Sequence, residues 1–284
     1  MRHIEFLDND HFENDYHRLP PPPQLRMFID FFWETKFDDL WNKYPKGFSD
    51  AQFPNIGYTY IFNLGTPYTM QVEDKKFQMR TDCFLPRYNT IECFHKTGNH
   101  LFGIKFRITP VLFEKKINFS EYKGAVYPLS YLIDKQISQQ VKNAASFKER
   151  MMILSSYFSQ LVKKNEESLH SAEIVSKILE QAYQDNKFHL SLEEEAGKYN
   201  ISTRTLQRYF ETCTGIAGKQ ALQVMRIRKA IAHVIHSPGT FDHARYGYHD
   251  QSHFYKHLKS FFDNKTLLPE RPHLRLLSTL HGKS

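Results

Sequence analysis

Twice in the C-terminal third of the chain the same order of residues appears: a turn, a polar cap, then a helix with one apolar and one polar face. The first copy is "YNISTRTLQRYF" (199–210). Asn200 can accept a left-handed backbone and Ser202 can cap the helix that follows. Leu206, Tyr209 and Phe210 then form an inward face, which leaves Thr203, Arg204, Gln207 and Arg208 outward. The second copy is "GYHDQSHFYKHLKSFF" (247–262). Here Gly247 and Tyr248 make the turn, Asp250 is the cap, and Phe254, Leu258 and Phe261 recur at helical spacing on one side. Gln251, Ser252, Tyr255 and Lys256 face the other way. Between the copies lies "KQALQVMRIRKAIAHVIH" (219–236), long and amphipathic enough to join them rigidly. Upstream, "SAEIVSKILEQAYQD" (171–185) is striped as a helix, and "SLEE" (191–194) has the form of a capping box. This third of the chain is all-α, and its repeated unit is a helix-turn-helix.

Charge is concentrated in the same place. Between residues 196 and 260 there are ten Lys/Arg and three acids, and the resulting +7 equals the formal charge of all 284 residues. A basic segment attached to a neutral remainder is the electrostatic footprint of a nucleic-acid module joined to a separate sensing or assembly domain. A polar helix face bearing Arg, Gln and Thr suits the major groove, where Arg pairs with guanine and Gln with adenine. Thr, Ser and Lys mostly hold phosphates.

With these residues in view, positions 191–262 resemble the DNA-binding domain of the AraC/XylS class of bacterial transcription regulators. The first unit matches through Ala196, Ser202, Leu206, Arg208 and Phe210, and the spacer through Arg226, Ile227 and Ala230. "GYHDQSHFYKHLK" follows the class signature of the second unit closely. The resemblance implies DNA contacts from Ser202, Thr203, Arg204, Gln207 and Arg208, and from Gln251, Ser252, His253, Tyr255 and Lys256. It implies two recognition helices in adjacent major grooves, about one helical turn apart. Four features depart from the class pattern: Glu195 replaces an apolar residue, Asn200 replaces a glycine, and "SPGTFDHARYG" (237–247) is short, with only Phe241 and Ala244 as its apolar pair. The usual G-x-[ST]-P motif is also missing after Phe262. A coactivator that keeps the fold without specific binding remains an alternative.

His249, His253 and His257 stand four residues apart and raise the question of a metal. A zinc site needs further placed ligands and an outer shell. In the signature, His249 belongs to the turn and His253 to the recognition helix, so contact with DNA or with the neighbouring helix explains the spacing better. No metal ligand and no cofactor is assigned.

The first half has a β texture. "YTYIFNLG" (58–65), "CFLP" (83–86), "TIECFHK" (90–96) and "LFGIKFRI" (101–108) are β-branched or aromatic and bounded by Gly, Pro and Asn. In the last of these, Ile104, Phe106 and Ile108 alternate with Gly103, Lys105 and Arg107, as in a half-buried strand. "QLRMFIDFFWET" reads as a short strand or a turn of helix. Phe147, Met151, Leu154, Phe158 and Leu161 form one stripe, which packs on its own domain or forms a dimer seam. "KKNEESLHS" (163–171) is the expected linker.

Regulators of this class often carry a cupin-like barrel, and "PPPQLRMFIDFFWE", "YIFNLG" and "LFGIKFRITP" are similar to a sensor-type domain of some members. The rival is a metal-dependent cupin-type enzyme with an accessory helical domain. It would need clustered ligands such as H-x-H with a Glu. Glu92, His95 and His100 are close in sequence, but no H-x-H occurs, nor any G-x-S-x-G, H-E-x-x-H or phosphate-binding glycine loop. An assembly domain without a ligand is a third option.

The expected fold is α+β in two domains: a mainly β sensing or dimerisation domain at 1–164, cupin-like barrel or sandwich with helices, and an all-α double helix-turn-helix reader at 165–284. The expected partner is double-stranded DNA, with RNA polymerase, an unknown small-molecule effector and a second copy of the chain as further candidates, and no enzyme activity. "MRHIEFLDND" has no apolar core of a signal peptide, no run reaches a membrane span, and the three scattered cysteines suit a reducing cytoplasm.

Overall fold

In a computed structural model, residues 9–115 and 125–262 are described. The apolar runs of the first half pair as antiparallel strands in two sheets. The larger sheet contains β1 (His17–Leu19), β2 (Ile29–Lys36), β4 (Tyr58–Asn63), β7 (Cys83–Pro86), β9 (His100–Phe106) and β10 (Tyr127–Pro128), in the order β1-β2-β9-β4-β7-β10. The smaller contains β3 (Ser49–Gln52), β5 (Tyr68–Val72), β6 (Lys75–Met79) and β8 (Ile91–Phe94), in the order β3-β8-β5-β6. Three short helices accompany them: α1 (Asn9–Asn14), α2 (Asp38–Lys43) and α3 (Val111–Lys115). Of the two architectures expected, barrel or sandwich, the sheets form the sandwich.

The larger sheet is covered on both faces. Trp33, Ile61, Leu85 and Leu101 pack against Tyr68, Met70 and Ile91 of the smaller sheet. On the opposite face Tyr60, Phe102 and Phe106 meet helices α4 (Lys135–Asn143) and α5 (Phe147–Lys164). The Phe106 and Phe158 rings meet edge-on at 5.2 Å, as do Phe102 and Phe147 at 6.0 Å. Two covered faces overturn the expectation of a half-buried β9: Gly103 and Lys105 are as enclosed as Ile104 and Phe106. They also account for the α5 stripe, which is spent on its own sheet. "QLRMFIDFFWET" resolves into a single 3-10 turn at Pro23–Leu25 followed by the eight-residue β2.

After α5 the expected linker shortens to a 3-10 turn at Glu166–Ser168. There follow α6 (His170–Asp185), α7 (Leu192–Lys198), α8 (Thr203–Thr214), α9 (Gly218–His236) and α10 (Gln251–Phe262). The buried residues of this helical region join those under the larger sheet in one apolar cluster. Among the described residues no helix is long and apolar enough to cross a membrane. The segment after Phe262, where the class motif is missing, lies outside the described residues.

Candidate nucleic-acid interface

The first unit is built as its residue types require. Ser191 caps α7, its hydroxyl accepting from the Glu194 amide at 3.3 Å. Asn200 takes the left-handed conformation at φ 53°, so the Ile201 amide reaches back to the Ala196 carbonyl at 3.1 Å and closes the helix end. Ser202 then caps α8 by accepting from the Thr205 amide at 3.1 Å. Leu206 and Phe210 are buried, Tyr209 is half-buried, and Ser202, Arg204, Gln207 and Arg208 are exposed in the first turns, with Thr203 half-buried beside them.

The second unit reaches the same end by another route. Residues 237–247 form two single 3-10 turns, Pro238–Thr240 and Ala244–Tyr246, where the first unit has a helix. Ala244 is exposed, which corrects the expected apolar pair. Phe241 instead works with the buried Tyr246, stacked at 6.0 Å, and both support α10, with Phe241 4.9 Å from Phe254. His233 of α9 ties this segment down through the Tyr246 hydroxyl at 2.9 Å and Thr240 Oγ1 at 3.0 Å. Gly247 turns at φ 71°, and a Cβ there would come within 2.4 Å of the His189 ring. Asp250 caps α10 by accepting from the His253 amide at 2.7 Å. Gln251, Ser252, His253 and Lys256 are exposed, and Tyr255 is half-buried with its hydroxyl 3.0 Å from Gln251 Nε2.

The three spaced histidines diverge. His249 lies against Asp250 at 3.2 Å, His253 stands on the exposed face, and His257 turns inward to the Tyr248 hydroxyl at 2.9 Å. Nor are Glu92, His95 and His100 brought together. Glu92 accepts from the Ser49 hydroxyl, His95 lies between Asp50 and Asn99, and His100 meets Glu34.

Not all of the basic charge faces outward. Arg226 is buried, its guanidinium 3.6 Å from the centre of the Tyr248 ring and 2.8 Å from His189 Nε2, so it holds the second turn against α9. Arg228 donates to the Phe53 and Pro54 carbonyls at 3.3 and 2.9 Å, and Lys229 donates to the Tyr183 carbonyl. Arg204, Arg208, Lys219, Lys256 and Lys259 are exposed. The inward role of the α9 cations was missed in the sequence. The signal present was their position, one helical turn or less from the buried Ile227, Ala230 and Ile231.

Residues 196–265 match a family model described as a helix-turn-helix domain. No curated protein matches the chain. Among solved structures the chain is similar to ToxT from Vibrio cholerae, with 12% identity, 93% of this chain and 98% of that one covered, and a TM-score of 0.43. It is likewise similar to ToxT of strain SCE256 with an unsaturated fatty acid bound (12% identity, 92% and 94% covered, TM-score 0.42) and to ToxT of strain O395 (13%, 94% and 97%, 0.42). The paired, capped helices and the family match together make residues 196–265 a helix-turn-helix domain of the AraC type.

Proposed function

We propose that the chain is a sequence-specific DNA-binding transcription regulator that presents α8 and α10 to successive major grooves of one duplex. The observation that carries this reading is the pairing of two capped helices, each exposing polar residues in its first two turns, at the two ends of α9. The 19 residues of α9 rise about 28 Å at 1.5 Å per residue. That is close to the roughly 34 Å between major grooves on one DNA face. Arg204, Gln207 and Arg208 would read base edges from α8, and Gln251, Ser252 and Lys256 from α10. Ser202, Thr203, His253 and Tyr255 would set orientation through phosphates. The division falls where α5 ends, giving a sensing or dimerisation region at 1–164 and a reader at 165–284. RNA polymerase and a second copy of the chain complete the partners of a cytoplasmic regulator.

Control by a small molecule is part of this reading, and one cavity suits it. It has a volume of about 280 Å³ and lies between the larger sheet and helices α6 and α9, lined by Phe31, Trp33, Lys105, Tyr183, Met225 and Arg228 among others. Burial brings the Lys105 ammonium down to about 7, while it donates to the Ile56 and Phe106 carbonyls. A ligand there would touch both regions at once.

Fragments of genomic DNA selected by the full-length protein at near-physiological salt test the reading. The expected outcome is a recurrent motif with two half-sites one turn apart. Arg204→Ala or Gln207→Ala should each cost about 1–3 kcal/mol on that site and relax its preference at one base pair. Unchanged site-specific affinity in either variant would remove α8 from the major groove.

A further inference from the structure

We propose that Asp50, Cys93 and His95 form a transition-metal site whose donor set fits zinc. The proposal does not rest on the DNA-binding reading. Asp50 on β3 is the direct cross-strand partner of Cys93 on β8, and His95 lies two residues further along, so all three side chains leave the same face of the smaller sheet. Their donor atoms lie within 4.8 Å of one another, and all three residues are buried.

The hydrogen bonds around His95 fix what the imidazole can offer. Asn99 donates its Nδ2 to the Thr66 carbonyl at 2.9 Å, so its Oδ1 is the atom facing His95 Nδ1, at 2.6 Å. Nδ1 must therefore carry a hydrogen and donate it. That leaves Nε2 aimed at Asp50 Oδ1, 2.8 Å away. A ring nitrogen and a carboxylate oxygen at that distance need a positive particle between them, either a proton or a metal ion. An outer acceptor that orients a histidine and leaves its other nitrogen to the metal is the usual support of a metal centre, and here the Asn99 amide oxygen fills that role. The ring has no freedom to turn away: it stacks on Phe37 at 3.5 Å and on Tyr68 at 5.5 Å.

One nitrogen, one sulfur and one carboxylate oxygen match the ligands of zinc better than those of magnesium or calcium. Donors at 2.0–2.3 Å in a tetrahedron stand about 3.3–3.7 Å apart, so the His95–Asp50 pair opens by roughly half an ångström when the ion enters. The ion displaces the proton shared by His95 and Asp50 and the thiol proton of Cys93. Two protons leave as two positive charges arrive, and the buried charge beside Arg87 is unchanged. Asp50 and Arg87 both border the 280 Å³ cavity, so the ion enters from the Asp50 side.

Cobalt titration of the full-length, chelator-stripped protein tests this without any activity assay. The expected result is saturation at one cobalt per chain, with a thiolate-to-cobalt charge-transfer band and the visible bands of four-coordinate cobalt, all displaced by zinc. Cys93→Ser should remove the charge-transfer band, whereas Cys213→Ser should keep it. Asn99→Ala, which frees His95 without touching a ligand, should weaken binding about tenfold or more. A folded wild-type protein that gives no such bands and keeps no zinc after dialysis overturns the proposal, whatever the variants do. So does a charge-transfer band that survives Cys93→Ser and disappears in Cys83→Ser.

Discussion

His257 meets the Tyr248 hydroxyl on the inner side of α10, and its protonation is linked to whether that helix stays docked. Burial, then the charge of Arg226, then that of His253 bring its pKa from 6.5 down to about 4. Above pH 6.5 the imidazole is neutral in folded and unfolded chains alike, and its contribution to stability is complete. As the pH falls toward 4, the unfolded chain takes up a proton that the folded chain refuses, and stability is lost across that window. Urea unfolding at neutral pH and at about pH 4.5 should therefore show a smaller acid-side loss in His257→Gln than in the wild type. An equal loss would place the sensitivity elsewhere. At this scale the turn residues were legible, because few residue types tolerate the backbone that Asn200 and Gly247 adopt. Glu195 was not. The class pattern marked its position as apolar but not how an acid could occupy it: Glu195 is buried, with Oε1 accepting from Lys198 at 2.6 Å.

The two reading units are unequal as elements. The α8 helix rests on α6, α7 and α9, three full helices, whereas α10 rests on one helix, α9, on two 3-10 turns held by Phe241, Tyr246 and His233, and on the Phe53 ring at Phe261. A helix on a thinner support spends more of its binding free energy on staying ordered. Lys256→Ala on α10 is accordingly expected to cost less affinity than Arg204→Ala on α8, and Phe241→Ala should weaken DNA binding although it touches no DNA. Titrations of the three variants on one selected site decide this, and equal costs on α8 and α10 would mean that the 3-10 turns are as firm as a helix. Element by element, helices α5 to α10 were legible because a 3.6-residue stripe survives any choice of neighbour, whereas α4 and the short helices of the first half were not read. The smaller sheet was largely illegible. "SDAQ" carries no strand pattern, and β3 exists because β8 pairs with it from Ser49 to Gln52. The metal-site candidate was hidden for the same reason: Cys93 and His95 are visible as a C-x-H pair, but Asp50 joins them only through that pairing.

Across the whole molecule, the β-rich and helical regions share buried surface rather than touching at a hinge. Phe53 stands 5.7 Å from Phe261, and the buried cluster runs without a break from Leu25 under the larger sheet to the α10 side chains. Gly215, at the end of α8, sits so close to the sheet that a Cβ there would lie 2.2 Å from the Tyr58 hydroxyl oxygen. Arg228 closes the contact from α9, its guanidinium spanning the Phe53 and Pro54 carbonyls. None of this was visible in a sequence whose two halves look independent, because the contact uses backbone carbonyls and a cation that composition assigns to DNA. Shared burial makes the unfolding of one region expose apolar surface of the other, so calorimetry of the wild type should give one cooperative transition. Arg228→Ala removes a charged donor from two part-buried carbonyls and should cost about 1.5–3 kcal/mol. If the interface is what couples the regions, that loss lowers the single transition and separates from it a weaker one belonging to the helices. Two resolved transitions already present in the wild type would mean that reader and sandwich are stable independently, and that a ligand in the cavity between them has no rigid contact through which to act on α9.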